Sequence, residues 1–247
     1  MQNAISQLGA LRVKQLVALY ARQMCIPDIL HIDYVCNACC TNTDLAPNMN
    51  SGRRFLSPPE ECVQQWVAKF KNGYDERISV RSSRLPGTIP DNAVNTILSA
   101  GLNQSAEQIN LIIYAHRLSM SAENILGLLL EEFLFSKLSP YGWAMAWGET
   151  IRSVDFCNAS GSLLQVKNRS NSENSSSSRV REGTQIMKWF RVNANNGRYL
   201  WDGLDSIVGI HPGLTLNEEA FQRFIKEVLS NNPNALAIEP NNPWGQL

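Results

Sequence analysis

At 247 residues the chain is long enough to bury a substantial core, and its 44% hydrophobic content with both charge signs present excludes a disordered or fibrous protein. No apolar run reaches the roughly 18 residues that a bilayer crossing needs; the longest, around Ile125 to Leu138, is broken by Glu131, Glu132 and Lys137. The 22 basic and 22 acidic residues cancel, which excludes a uniformly basic nucleic-acid coat, yet Arg179, Arg181, Lys188, Arg191 and Arg198 stand together against Glu182 alone, with Lys167 and Arg169 just upstream.

The N-terminus lacks a basic start, an uninterrupted apolar stretch and a small-residue cleavage site, so a cytoplasmic protein is expected. The first 140 residues read as mostly helical. Leu8, Leu11, Leu16, Val17 and Tyr20 trace one apolar face of a first helix. Residues 36–56, rich in Asn, Thr, Ser and Gly, read as loop. Within them Cys36-Asn-Ala-Cys39-Cys40 has the two-residue gap of a zinc knuckle, but no second half that would close a four-ligand site, so reduced thiols are the default for all six cysteines. Ser57 with Glu60 forms a capping-box pattern and Pro58 suits a first helical turn, which predicts a helix burying Cys62, Trp66, Val67 and Phe70. Asp91 to Ala100 and Ser105 to Leu118 read as two further helices, and Ser121 as the cap of a third that runs to Leu138 and stops at Pro140.

The pattern then changes to short apolar runs, Trp143–Trp147, Ile151–Phe156 and Leu163–Val166, separated by Gly148-Glu149 and Asn158-Ala-Ser-Gly161, which predicts a strand meander. A polar stretch follows, then a strand at Gln185–Val192 and a C-terminal helix capped by Thr215 with Glu218. There is no internal repeat. The expected division is a mostly helical part over 1–120 and a catalytic core over 121–247.

Phosphodiester hydrolysis near neutral pH needs a strong nucleophile and neutralisation of transition-state charge, and a divalent cation held by hard oxygens supplies both. Residues two apart on a strand share a face, so Gln165 and Lys167 point one way and Val166 the other, while the turn at 158–161 brings Asp155 alongside. This helix, strand, strand with Asp155, strand with Gln165-Val166-Lys167 and helix resembles the PD-(D/E)XK nuclease core. The segment from Gln165 through Asn168, Arg169, the serine run and Arg179-Val-Arg181 to Gly183-Thr and Lys188-Trp-Phe-Arg191 resembles the SinI-like family of type II restriction endonucleases.

That resemblance implies an α/β fold with a mixed central sheet flanked by helices, and a bacterial enzyme that uses Mg²⁺ to cut double-stranded DNA at a short palindromic or near-palindromic G/C-rich site, GGWCC. It implies Asp155 as a metal ligand, Gln165 as a weaker or positioning ligand in place of the usual acid, and Lys167 on the attacking water. The charge that Gln165 forgoes is expected from Glu149, Glu131 or Glu132, of which only one of the adjacent pair faces the site. Asn168, Arg169, Asn174, Ser175, Ser176, Arg179, Arg181, Lys188 and Arg191 are candidates for base or phosphate contact. A symmetric site implies a homodimer, and host protection implies a partner methyltransferase. Two alternatives stand beside this reading: a non-catalytic DNA-binding regulator, and a repair or defence nuclease without a fixed site.

Overall fold

The computed structural model describes residues 1–50, 56–87, 91–170, 185–209, 211 and 213–245. Its elements are α1 (Gln2–Gln23), α2 (Ile32–Thr41), α3 (Pro59–Asp75), α4 (Asn92–Leu102), α5 (Ala106–Leu138), β1 (Trp143–Met145), β2 (Phe156–Asn158), β3 (Leu163–Arg169), β4 (Ile186–Val192), α6 (Trp201–Val208) and α7 (Glu218–Asn231). Among the described residues no helix is long and apolar enough to cross a membrane. The chain forms two compact units, each discontinuous in sequence: residues 1–77 with 130–224, and residues 78–129 with 225–247.

The first unit contains a mixed four-stranded sheet in the order β1-β2-β3-β4. β1 pairs antiparallel to β2 and β2 to β3, whereas β3 and β4 are parallel, with Gln165 opposite Lys188 and Lys167 opposite Phe190. The hairpin between β2 and β3 closes as its sequence predicts. Asn158 Oδ1 accepts from the backbone N–H of Ser160 and Ser162 at 3.1 and 3.0 Å, and Gly161 takes the left-handed φ of 86° that the turn requires.

Helix α2 packs on β1 and β2. It occupies part of the stretch expected to be loop, because Val35, Cys36, Ala38 and Cys39 form a buried stripe in which the cysteines behave as small apolar residues. Helix α1 buries Ala4, Ile5, Val13, Leu16, Val17 and Ala21, so of the expected face Leu16 and Val17 are buried, Leu8 and Tyr20 are half-buried, and Leu11 is not. The reason is a break at Gly9 (φ 76°, ψ 156°), which resets the helical phase and leaves Leu11 74% exposed.

Helix α3 buries the predicted Cys62, Trp66, Val67 and Phe70, and Val63 with them. Its capping differs from the Ser57–Glu60 box: Pro58 holds the cap position, and Ser57 Oγ hydrogen-bonds Glu61 Oε1 at 3.1 Å. Two aromatic clusters complete this core. Phe133 of α5 meets Trp201, Phe221 and Phe224, with Trp189 against Trp201, while Tyr74, Phe135 and Trp147 pack edge to face. Helix α6, which supplies Trp201, lies outside the elements that the sequence pattern predicts.

The two helices expected over 105–138 are one 33-residue helix, α5, whose residues 106–129 belong to the second unit and 130–138 to the first. Ser121 lies inside it and is buried; the reciprocal cap is instead at its start, where Ser105 N–H donates to Gln108 Oε1 at 3.0 Å and Gln108 N–H to Ser105 Oγ at 3.3 Å. Arg117 pairs with Glu239 at 2.5 Å, and the Asn232 amide donates to the carbonyls of Ile78 and Arg81. Helix α7 is capped by Asn217, whose Oδ1 accepts from Ala220 N–H at 2.8 Å, in place of the expected Thr215.

Candidate active site

The first unit gathers the acidic residues and the lysine at one end of the β2–β3 pair. Asp155 immediately precedes β2. Its backbone N–H donates to Leu164 O at 2.9 Å, and its Oδ2 accepts from Val166 N–H at 2.7 Å, so the strand pairing itself orients the carboxylate. Extending the observed register by one residue places Asp155 opposite Gln165, on the same face of the sheet, with Lys167 next along that face. Strand β3 is buried from Leu163 to Val166 and emerges at Lys167 and Asn168, so the lysine stands where the strand leaves the core.

Gln165 is 5% exposed, and its Oε1 has no hydrogen-bond partner. A buried amide oxygen left without a donor costs roughly 1–3 kcal/mol, so its retention calls for a compensating ligand.

Helix geometry separates the two glutamates of α5. Glu131 and Phe135 are one turn apart on one stripe. Phe135 meets Trp147 of the β1–β2 connection at 5.1 Å, and Glu131 lies within electrostatic reach of Asp155, Lys167 and Glu149. Burial, then the negative charge of Asp155, pushes the Glu131 carboxyl up to about 8; Lys167 opposes that rise and Glu149 adds to it. Glu132, roughly 100° further around the helix, is buried and pairs with Arg77 at 3.5 Å. Of the adjacent pair it is Glu131 that faces Asp155 and Lys167.

Glu149 sits in the β1–β2 connection with a left-handed φ of 55°, unusual for a residue with a Cβ. Three contacts distant in sequence hold that connection. Trp66 Nε1 donates to Thr150 O at 3.0 Å, Cys39 Sγ to the same oxygen at 3.4 Å, and Lys69 Nζ to Glu149 O at 3.3 Å. Trp66, Lys69 and Arg77 carry no motif, and only the fold brings them within reach of residues about 55 to 85 positions away.

Asp155, Glu131 and Gln165 offer two carboxylates and one carboxamide. These are hard oxygen donors of the kind Mg²⁺ takes, and the unpartnered Gln165 Oε1 is an atom that a cation would satisfy. Among the described residues no group of three or more His, Cys, Asp or Glu is arranged to hold a metal, so the carboxamide is needed to complete such a set. The cysteine motif lies on α2, with Cys36 and Cys40 one turn apart; their mutual hydrogen bond, ahead of the effect of Lys14, brings the Cys40 thiol down to about 7. All six cysteines are unbridged.

The expected DNA-contacting residues divide. Asn174, Ser175, Ser176, Arg179 and Arg181 lie outside the described residues. Arg169 is exposed at the end of β3, and Lys188 is half-buried on β4. Arg191 is instead enclosed: it is 8% exposed, its Nη1 donates to both carboxylate oxygens of Glu218 at 2.7 Å, and its Nε donates to Asn168 Oδ1 at 2.9 Å. In this arrangement Arg191 and Asn168 tie β3, β4 and α7 together, and the Arg191 guanidinium is engaged by protein partners while Asn168 stays half-buried. Replacing Arg191 by Ala will leave the largely buried Glu218 carboxylate without its cation, with only Trp201 Nε1 and Gln222 Nε2 donating to it at 3.2 Å, and lower stability by about 3 kcal/mol, read by chemical denaturation. Lys, which lacks the forked guanidinium, will recover only part of this loss.

The described geometry meets independent findings from known proteins. The family model for the SinI restriction endonuclease matches residues 28–231. The chain is 40% identical over 207 residues to the type II restriction enzyme Eco47I of Escherichia coli, an alignment that covers 76% of this chain and 89% of that protein. It is 41% identical over 207 residues to the type II restriction enzyme SinI of Salmonella infantis, with the same shares covered. A match over most of the chain, at this identity, shows that the protein belongs to the SinI restriction endonuclease family.

Proposed function

We propose that this type II restriction endonuclease cuts double-stranded DNA at a short palindromic or near-palindromic G/C-rich site, GGWCC, by Mg²⁺-assisted hydrolysis on a PD-(D/E)XK-type core. The observation that carries the reading is the convergence of Asp155, Glu131 and Lys167 beside the unpartnered, buried Oε1 of Gln165. Asp155, Glu131 and Gln165 would hold the cation. When bound, it polarises the scissile phosphate and acidifies water.

The chain's own groups do the rest. Val166 N–H holds the Asp155 carboxylate in place. Glu131 keeps its proton near neutral pH until opposite charge offsets its two acidic neighbours. Lys167 hydrogen-bonds the attacking water and stabilises charge on the phosphoryl group. Arg169 and Lys188 supply cations on the two parallel strands, and Arg179 and Arg181 extend that set in the sequence. A methyltransferase that modifies the same site would protect the host DNA.

The test is digestion of two plasmids, one with a single GGWCC site and one with none, in Mg²⁺ and in EDTA, by wild type and Lys167→Ala. The expected result is a single cut in the first plasmid only. EDTA should abolish it, and Lys167→Ala should slow it by about 10²–10⁴-fold. Smearing of both plasmids would indicate a nuclease without a fixed site, and binding without cutting a non-catalytic regulator.

A further inference from the structure

The cysteine motif has no part in the nuclease reading, yet the thiols of this chain are not equivalent. Cys39 and Cys62 are buried and donate to the carbonyls of Thr150 at 3.4 Å and Ser57 at 3.6 Å. Cys36 and Cys157 are also buried, and Cys25 is exposed in the turn after α1. Cys40 is half-buried in the last turn of α2, within reach of a small solute.

Helical spacing sets Cys36 one turn before Cys40, with Cα atoms about 6 Å apart, a separation that a disulfide spans. Their Cβ atoms, about 5–6 Å apart in a regular helix, must come to roughly 4 Å, so a bridge requires the turn between them to open. The place in the helix permits it. Helix α2 ends at Thr41, Asn42 has already left helical geometry (φ −120°, ψ 74°), and the hydrogen bond from Asn42 N–H to Ala38 O at 2.9 Å closes the end.

Local electrostatics select Cys40 as the nucleophile of the pair. The Cys36 thiol donates to the Cys40 sulfur, and Lys14 of α1 lies within electrostatic reach. The hydrogen bond first, and the lysine after it, outweigh burial and bring the Cys40 thiol down to about 7. The same hydrogen bond, together with burial, pushes Cys36 up, so Cys36 keeps its proton. Burial likewise pushes up Cys39 and Cys157. An accessible thiolate beside a protonated thiol is an arrangement open to stepwise oxidation.

We propose that Cys40 is a site of oxidation by hydrogen peroxide, with Cys36 as the resolving thiol that turns its sulfenic acid into a disulfide. The Cys40 thiolate attacks one peroxide oxygen: the S–O bond forms, the O–O bond breaks, and the departing hydroxide takes a proton to become water. The Cys36 sulfur next attacks the Cys40 sulfur: the S–S bond forms, the S–O bond breaks, and hydroxide leaves with the Cys36 proton as a second water. The peroxide accepts the two electrons that the sulfurs lose. Cys39, within the same turn, donates to Thr150 O beside Glu149, so opening this turn also loosens the connection that carries Glu149.

The experiment treats the full chain with hydrogen peroxide near neutral pH, caps the remaining thiols with N-ethylmaleimide and assigns the modified residues by tandem mass spectrometry. Wild type, Cys25→Ser, Cys36→Ser and Cys40→Ser are compared. Wild type and Cys25→Ser should form the Cys36–Cys40 disulfide, reversed by dithiothreitol, at least about threefold faster than Cys25 is oxidised in wild type. Cys36→Ser should stop at a Cys40 sulfenic acid that dimedone traps, and Cys40→Ser should form no bridge. If Cys36→Ser fails to fold, dimedone added to wild type during oxidation traps the same species. Cys40 left reduced while Cys25 is oxidised, or a bridge to a thiol other than Cys36, would overturn the proposal. Plasmid digestion is read separately. Bridged wild type should cut at least about tenfold more slowly and recover in dithiothreitol; unchanged cutting by the bridged protein would overturn the link to Glu149. Failure of the reduced protein to cut strikes the cleavage reading and leaves the thiol chemistry standing.

Discussion

Glu131→Gln will make the protein more stable and inactive at once. In the folded protein without metal, burial and the charge of Asp155 raise the Glu131 carboxyl from 4.5 to about 8. The sign follows from proton counting. Between these two values the native state holds a proton that the unfolded chain has lost, so stability falls as pH rises from about 4.5 to 8 and then levels off. A carboxamide has the same shape and no such cost. In EDTA at pH 8, Glu131→Gln should gain on the order of 2–4 kcal/mol, about 5–10 °C in Tm for a chain of this size, and the gain should vanish near pH 4.5. Cleavage should drop by at least about 10²-fold, because the variant forgoes a charge that Gln165 has already forgone once. Equal melting temperatures in EDTA at pH 8 would show that Glu131 is not held among negative charges. The Glu132→Gln variant provides the contrast: its carboxylate pairs with Arg77, so the substitution should destabilise.

This contrast also marks where sequence reasoning stops. Period-two alternation put Gln165 and Lys167 on one face, and the Asn158–Gly161 turn put Asp155 beside them, because strand facing and tight turns are local properties. The choice between Glu131 and Glu132 is not local. It depends on how α5 is rotated about its axis, which is set by Phe133 in one aromatic cluster and Phe135 in another.

The fusion of two expected helices into α5 has a similar origin. Ser121 looks like a cap, but a helix already extended by neighbouring turns accepts serine inside it, and Ser121 is buried there. Arg191 is a DNA-contact candidate because its sequence neighbours are basic, and its pairing with Glu218, 27 residues away, is visible only in the fold. For α2 the misleading signal was composition. Polar residues suggested a loop, and the buried stripe of cysteine, valine and alanine outweighed them.

Gly73→Ala should be among the most damaging single-methyl additions this chain can receive. Alanine is normally better than glycine inside a helix by about 1 kcal/mol. At residue 73, however, the added Cβ would lie 2.2 Å from Gly148 N, 2.6 Å from Gly148 Cα and 2.8 Å from Trp147 C. All three are backbone or carbonyl-carbon atoms that cannot rotate away, so α3 and the β1–β2 connection must separate. Gly148 shows the same constraint from the other side: its φ is 67°, and a Cβ there would lie 2.3 Å from Lys69 O. Forced overpacking of this kind costs about 1–3 kcal/mol, and a clash against backbone belongs at or beyond the upper end. Net destabilisation of at least about 2 kcal/mol is therefore expected for Gly73→Ala, a fall of about 4–8 °C in Tm. Activity should fall further than stability, because Glu149 follows Gly148 directly and the Lys69 and Trp66 contacts that hold this connection would lengthen. Gly127→Ala isolates the cause: it is also a glycine inside a helix, but nothing lies within 4 Å of its added methyl, so it should stabilise by about 0.5–1 kcal/mol. If the two substitutions shifted Tm in the same direction, the close approach of α3 to Gly148 would be wrong, and with it the account of how Glu149 is held near Glu131.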